Sequence, residues 1–226
     1  MLDQLIAAPD MFEVVLDAIA LTLANEGANQ QALAVFAGRD PELHAWRVFV
    51  ESVSAHDHFA ARDGSTALKL PIVNVCYSRS DLPEGKGSSD GRGNSESQYL
   101  IDCYASCEAI VGIEGGHVRP DEASARVAYR VARQVRNILM AVEYQDLGLA
   151  PGSIARRWVS AIESMRPRVG QATFNEKIAV ARIRFGAEFV EDAPQVTPVV
   201  LERLSGVIKR DEDGQILAQI TKGLPV

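Results

Sequence analysis

Apolar residues recur at steps of three and four from Phe12 through Val15, Leu16 and Ile19 to Leu23. That spacing lays them along one side of an α-helix. Pro9 and Asp10 suit its start, since proline tolerates the first turn and an acidic residue caps it. Gly27 is expected to stop the helix, and residues 30–36 to form a short second one before Gly38 and Pro41 break the chain. The period then changes to two. Across residues 45–53, Trp46, Val48 and Val50 alternate with Arg47, Phe49 and Glu51, which reads as a strand. Residues 70–78 and 98–106 repeat the pattern, the first with Ile72, Asn74 and Cys76 against Val73, Val75 and Tyr77. The second puts Tyr99, Ile101, Cys103 and Ala105 on one side.

Residues 80–94, rich in glycine, serine and aspartate, carry no apolar anchor after Leu82. They are expected to form a long mobile excursion between the second and third strands. Pro120, Asp121 and Glu122 then open the clearest helix, expected to run to about Val142. Val127, Val131, Val135, Ile138 and Val142 share one face, and Arg126, Arg130, Arg133 and Arg136 lie opposite. Residues 154–169 and 177–190 read as strands. Residues 199–210 and 214–221 read as a terminal hairpin around Asp211-Glu212-Asp213-Gly214. The order helix, three strands, long helix, four strands implies an α+β fold with a mixed or antiparallel sheet and helices on one face. The expected organisation is an N-terminal helical segment, residues 1–44, followed by an α+β domain, residues 45–226.

Composition narrows the functional classes. The chain has 226 residues, 47% of them hydrophobic, and a net charge of −7. An acidic balance argues against nucleic-acid binding as the main activity, because phosphate contacts demand a basic footprint. No segment has the roughly 18 consecutive apolar residues of a membrane helix, and no secretory signal is apparent. Of the 23 basic residues, 18 are arginine, the side chain suited to bidentate and interfacial ion pairs. Cys76, Cys103 and Cys107 are odd in number and lack a second ligand pair at zinc spacing, so reduced thiols are expected.

Catalytic signatures are sparse. Gly85-Lys86-Gly87-Ser88-Ser89 resembles a phosphate cradle, but Asp81 stands where its first glycine belongs. His56-Asp57-His58 could share a metal along a strand, with His44 or Asp63 as a third ligand. The plainer reading is a polar strand end running into a loop, and His117 reads as a loop residue. No cofactor is expected. The arginine face has two readings. One is a solvated helix surface with local pairing such as Glu122 to Arg126. The other is an intersubunit face that meets Glu188, Glu191, Asp192, Glu202 or Asp211-Glu212-Asp213 of a neighbouring copy, a head-to-tail contact that closes into a ring.

A strand Pro71-Ile72-Val73-Asn74-Val75-Cys76-Tyr77 runs into Ser80-Asp81-Leu82-Pro83-Glu84-Gly85. The strand Tyr99-Leu100-Ile101-Asp102-Cys103-Tyr104-Ala105 follows. Then come the Ala/Arg helix through Arg136-Asn137-Ile138-Leu139 and the segment Glu143-Tyr144-Gln145-Asp146-Leu147-Gly148-Leu149. From Arg47 to Thr221 this order resembles the tail-terminator, or tail-completion (neck), proteins of tailed bacteriophages. The resemblance implies a sheet flanked by helices and assembled as a hexameric ring. It implies a structural, non-enzymatic virion protein, assembled in the host cytoplasm, that ends tail-tube growth and joins tail to head. Its partners would be further copies of itself, the tail tube protein, the head–tail connector or adaptor, and sheath proteins. DNA would only pass through the lumen, and no membrane would be involved. An assembly loop carrying Asp81, Pro83, Glu84, Gly85, Lys86, Gly87, Asp90 and Arg92 would reach an adjacent ring or tube. Another neck or collar component, a metal-dependent hydrolase using His56 and His58, and a cytosolic module dimerising through a sheet edge remain the alternatives.

Overall fold

The computed structural model describes residues 9–53, 55, 59, 70–81, 92–107, 110–111, 117–165, 178–192, 203–209 and 216–223. Helix α1 (Met11–Phe36) opens with the Glu13 carboxylate accepting the Asp10 backbone N–H at 2.9 Å, which satisfies a donor that the first turn leaves orphaned. Val15, Leu16, Ile19 and Leu23 are buried, as their spacing predicts. The helix does not stop at Gly27. It continues as one element to Phe36 and ends where Gly38 takes φ +64°. Gly27 is there for packing, because a Cβ at this position would lie 2.9 Å from two ring carbons of Trp46.

That contact makes a prediction. In a helix interior alanine is favoured over glycine by about 1 kcal/mol. Against the buried Trp46 ring, overpacking costs about 1–3 kcal/mol. Gly27→Ala is therefore expected to destabilise by about 1 kcal/mol net, read as a lower urea midpoint at unchanged slope. A stabilised variant would show that Trp46 yields freely.

Four of the remaining strands surround a central one. The sheet runs β1 (Arg47–Val50), β2 (Ile72–Asp81), β3 (Arg92–Ser106), β7 (Ile178–Asp192), β6 (Ile154–Met165). β1 and β2 are parallel and every other pair is antiparallel. The fold is thus α+β, with a mixed sheet. Between β3 and helix α2 (Pro120–Met140) a small ladder pairs β4 (Ile110–Val111) with β5 (His117–Val118). His117 therefore begins a short strand. Separately from the unit Pro9–Ala193, the second unit contains β8 (Arg203–Lys209) and β9 (Ile216–Gly223), which form the expected antiparallel hairpin. The turn expected at residues 211–214 lies outside the described residues.

The register divides the main sheet into two chemically different faces. Val73, Cys103 and Ala181 align, as do Val75, Ile101 and Ile183, and Tyr77, Tyr99 and Phe185. This face packs against both helices in a single core, each buried large side chain contributing about 1.5–3 kcal/mol. The other face aligns Asn74, Asp102, Arg182 and Glu163. Toward Ile72 it is covered by Ala55 and Phe59.

The strands on either side of the glycine-rich segment are longer than expected. Ser80 and Asp81 belong to β2, and Arg92, Gly93 and Asn94 to β3. The reason is long-range: β7 extends to Asp192 and supplies ladder partners for β3 as far as Arg92. Pro83, Glu84, Gly85, Lys86, Gly87 and Asp90 lie outside the described residues.

Candidate functional site

α2 starts with Pro120 and carries Asp121 and Glu122 in its first turn. Ala128, Val131, Ala132, Val135, Ile138 and Leu139 face the sheet and are buried. Val142 does not join them. The helix ends at Met140, and Val142 falls in the following 3₁₀ turn, 80% exposed. Arg126, Arg130, Arg133 and Arg136 occupy the outer side over roughly three turns. Arg126 pairs with Glu122 at 2.5 Å. Arg130 is half-buried, and its Nε lacks a hydrogen-bond partner among the described residues. Arg133 and Arg136 are exposed and make no ion pair among the described residues.

The acidic residues expected to meet this stripe from a neighbouring copy lie on other elements of the chain, and Glu202, Asp211, Glu212 and Asp213 lie outside the described residues. Glu188 is on the sheet face that turns away from the helices, between Ala187 and Phe189 of the core. There it pairs with Arg156 at 3.4 Å and accepts a hydrogen bond from Asn94 at 3.3 Å. Asp81, Glu96 and Glu188 align across three strands of that face, and Asp81 pairs with Arg79 at 3.4 Å. Glu191 and Asp192 end β7, opposite Gly93 and Arg92. Within one chain, therefore, the structure does not bring the arginine stripe and these acids together. Glu188 is already engaged by its own chain.

A concave site sits at the other end of the stripe. Its volume is about 500 Å³, within the range of ligand clefts. Glu26, Asn29 and Gln30 come from α1, His44 from the 3₁₀ turn Pro41–His44, and Gln134, Asn137 and Ile138 from α2. Trp46, Ala141, Glu143 and Tyr144 complete the wall. The wall contains two carboxylates and neither lysine nor arginine. Hydrogen bonds hold it in shape. Tyr144 Oη donates to Glu26, as do Gln30 Nε2 at 2.6 Å and Asn29 Nδ2 at 3.1 Å. Gln134 Nε2 reaches the Leu43 carbonyl at 3.2 Å and His44 Nδ1 at 3.0 Å. Burial works to raise the Glu26 pKa, but the three donors outweigh it and hold the carboxyl below its ordinary value. The hydrogen bond that Glu26 accepts from the phenol in turn pushes Tyr144 up to about 12. Both groups thus keep the carboxylate–phenol pairing at neutral pH.

No local sequence pattern marks the group that fixes one side of this site. Arg157 Nη1 of β6 donates to the carbonyls of Leu139 at 2.5 Å and Tyr144 at 2.6 Å, and its Nη2 to that of Ala141 at 2.6 Å. One guanidinium so closes the C-terminus of α2 and the turn that carries Glu143 and Tyr144.

Cys76, Cys103 and Cys107 are free thiols. Burial, with the Glu51 and Asp102 carboxylates, pushes Cys76 up to about 11, and burial raises Cys103 and Cys107 as well. None is a thiolate near neutral pH, so none is poised as a nucleophile. His56, His58 and Asp63 lie outside the described residues, and among the described residues no three His, Cys, Asp or Glu side chains cluster at metal-binding distance. No helix among the described residues is long and apolar enough to cross a membrane. Compared with known proteins, the chain matches no family model and none of the curated sequences.

Proposed function

We propose that the protein is a structural, self-associating ring component of a phage tail neck. In this reading it sits at the head-proximal end of the tail tube, ends tube growth and joins the tail to the head connector. The observation that carries it is the outer side of α2. Four arginines line it, and among the described residues one of them has an ion-pair partner. Such a face gains little as a solvated surface and much against an acidic partner. The sequence resemblance to tail-terminator proteins supplies the identity of the assembly. Exposed apolar side chains at the end of α1, Val35 and Phe36 at 64% and 93% exposure, add surface of the kind that contacts cover.

The test is mass by light scattering, followed by negative-stain images with and without tail tubes. Six-fold rings, free or only on tube ends, are expected. A monomer or dimer that never decorates tubes overturns the reading. The double variant Arg133→Glu/Arg136→Glu is expected to fold normally and to weaken ring formation at least about tenfold, since like charges brought together cost several kcal/mol. Unchanged assembly would remove α2 from the contact.

A further inference from the structure

We infer that the pocket between α1 and α2 is the socket for the arginine stripe of a second copy, in place of the Glu188 edge expected from the sequence. The inference rests on the self-association proposed above and names its contact surfaces.

Charge complementarity selects the occupant. The pocket wall offers the Glu26 and Glu143 carboxylates and the amides of Asn29, Gln30 and Asn137, with His44 its one basic side chain and neither lysine nor arginine. Glu26 is ionised and already oriented by three donors, so little is lost in ordering it when a ligand arrives. Glu143 is exposed and makes no ion pair among the described residues. Tyr144 and Trp46 add aromatic wall, which favours a guanidinium over a bare ammonium. The chain itself supplies the matching group: Arg133 and Arg136 stand outward on the same helix that contributes Gln134 and Asn137 to the pocket. The surface around α2 is therefore bipolar, basic along the middle turns of the helix and, where Glu26 of α1 and Glu143 of the following turn flank its C-terminal end, acidic and concave. A bipolar surface meets its own copy with unlike ends together. The Glu188 edge is the poorer acceptor, because Arg156 and Asn94 already use that carboxylate.

The test is a charge swap in the full chain, read by sedimentation velocity with and without tail tubes. Glu143→Lys is the acidic-side variant, chosen because Glu143 holds no described partner and its loss leaves the fold in place, which circular dichroism checks. Arg133→Glu/Arg136→Glu is the basic-side variant. Each is expected to weaken self-association at least about tenfold, and the combined triple variant to recover it to within about threefold of wild type. If Glu143→Lys assembles like wild type, or if the folded triple variant shows no recovery, the socket is wrong while the ring reading stands. A wild-type chain that stays monomeric even with tubes overturns both. A pair of copies that is sensitive to Glu143→Lys and rescued by the swap upholds the socket and overturns the ring.

Discussion

Asp102→Ala is expected to destabilise the protein by about 3 kcal/mol, the largest loss from any single side chain on the sheet face away from the helices. Asp102 is 5% exposed and takes both Arg182 Nε at 2.6 Å and Nη2 at 2.7 Å. The two residues oppose one another directly on β3 and β7, and Tyr104 Oη adds a hydrogen bond at 3.3 Å. Truncating the acid strands the guanidinium in a site built for an ion pair, which costs about 3–5 kcal/mol when burial is complete. Arg182 remains 24% exposed and Glu163 lies beside it in register on β6, so the cost falls at the lower end. The double variant Asp102→Leu/Arg182→Met removes both charges at similar volume and is expected within about 1 kcal/mol of wild type. Guanidinium chloride unfolding of the three proteins decides it. A single variant as stable as wild type, or a double variant worse than the single one, would mean that the pair does not hold β3 to β7 in the way its geometry implies.

The contrast between what was readable and what was not follows the range of the interactions. The α2 stripe was readable because a helix repeats its face every 3.6 residues, so Val131, Val135 and Arg126, Arg130 and Arg133 sort themselves within one segment. The alternation in β3 likewise put Asp102 on the face away from Ile101 and Cys103. It could not reveal Arg182, which is 80 residues distant and meets Asp102 only through strand order. Gly27 looked like a stop because glycine is a poor helix former; the Trp46 ring that requires it belongs to another segment. The same limit explains the candidate site. Its arginines occupy one helix and were legible. Its pocket is assembled from α1, a 3₁₀ turn, α2 and the following turn, and no local pattern announces such a convergence. The expected pairing of the stripe with Glu188 of a neighbouring copy rests on charge alone, and no local pattern announces that β6 brings Arg156 against that carboxylate.

Arg157→Met is the second large effect, and it joins stability to assembly. The substitution keeps much of the aliphatic stem and removes three charge-assisted hydrogen bonds at 2.5–2.6 Å. Each bond of this kind is worth about 1.5–3 kcal/mol, but the three share one guanidinium and the freed carbonyls of Leu139, Ala141 and Tyr144 regain some water, so they do not sum. Loss of a cation at the negative end of α2 adds about 0.3–1 kcal/mol. The expected total is about 3 kcal/mol, read as a lower urea midpoint at constant slope. Arg157→Lys is expected to recover less than half, because an ammonium is a point charge without the planar fork that spans three carbonyls. The local consequence separates this role from generic destabilisation. Ala141, Glu143 and Tyr144 line the pocket, so amide exchange is expected to accelerate first in the last turn of α2 and through Gln145, while the β3–β7 ladder stays protected. Self-association should weaken with it, although no charge on the pocket wall or the arginine stripe has changed. A uniform rise in exchange across the sheet, or assembly that survives the frayed turn, would show that Arg157 serves the fold as a whole and does not shape the socket.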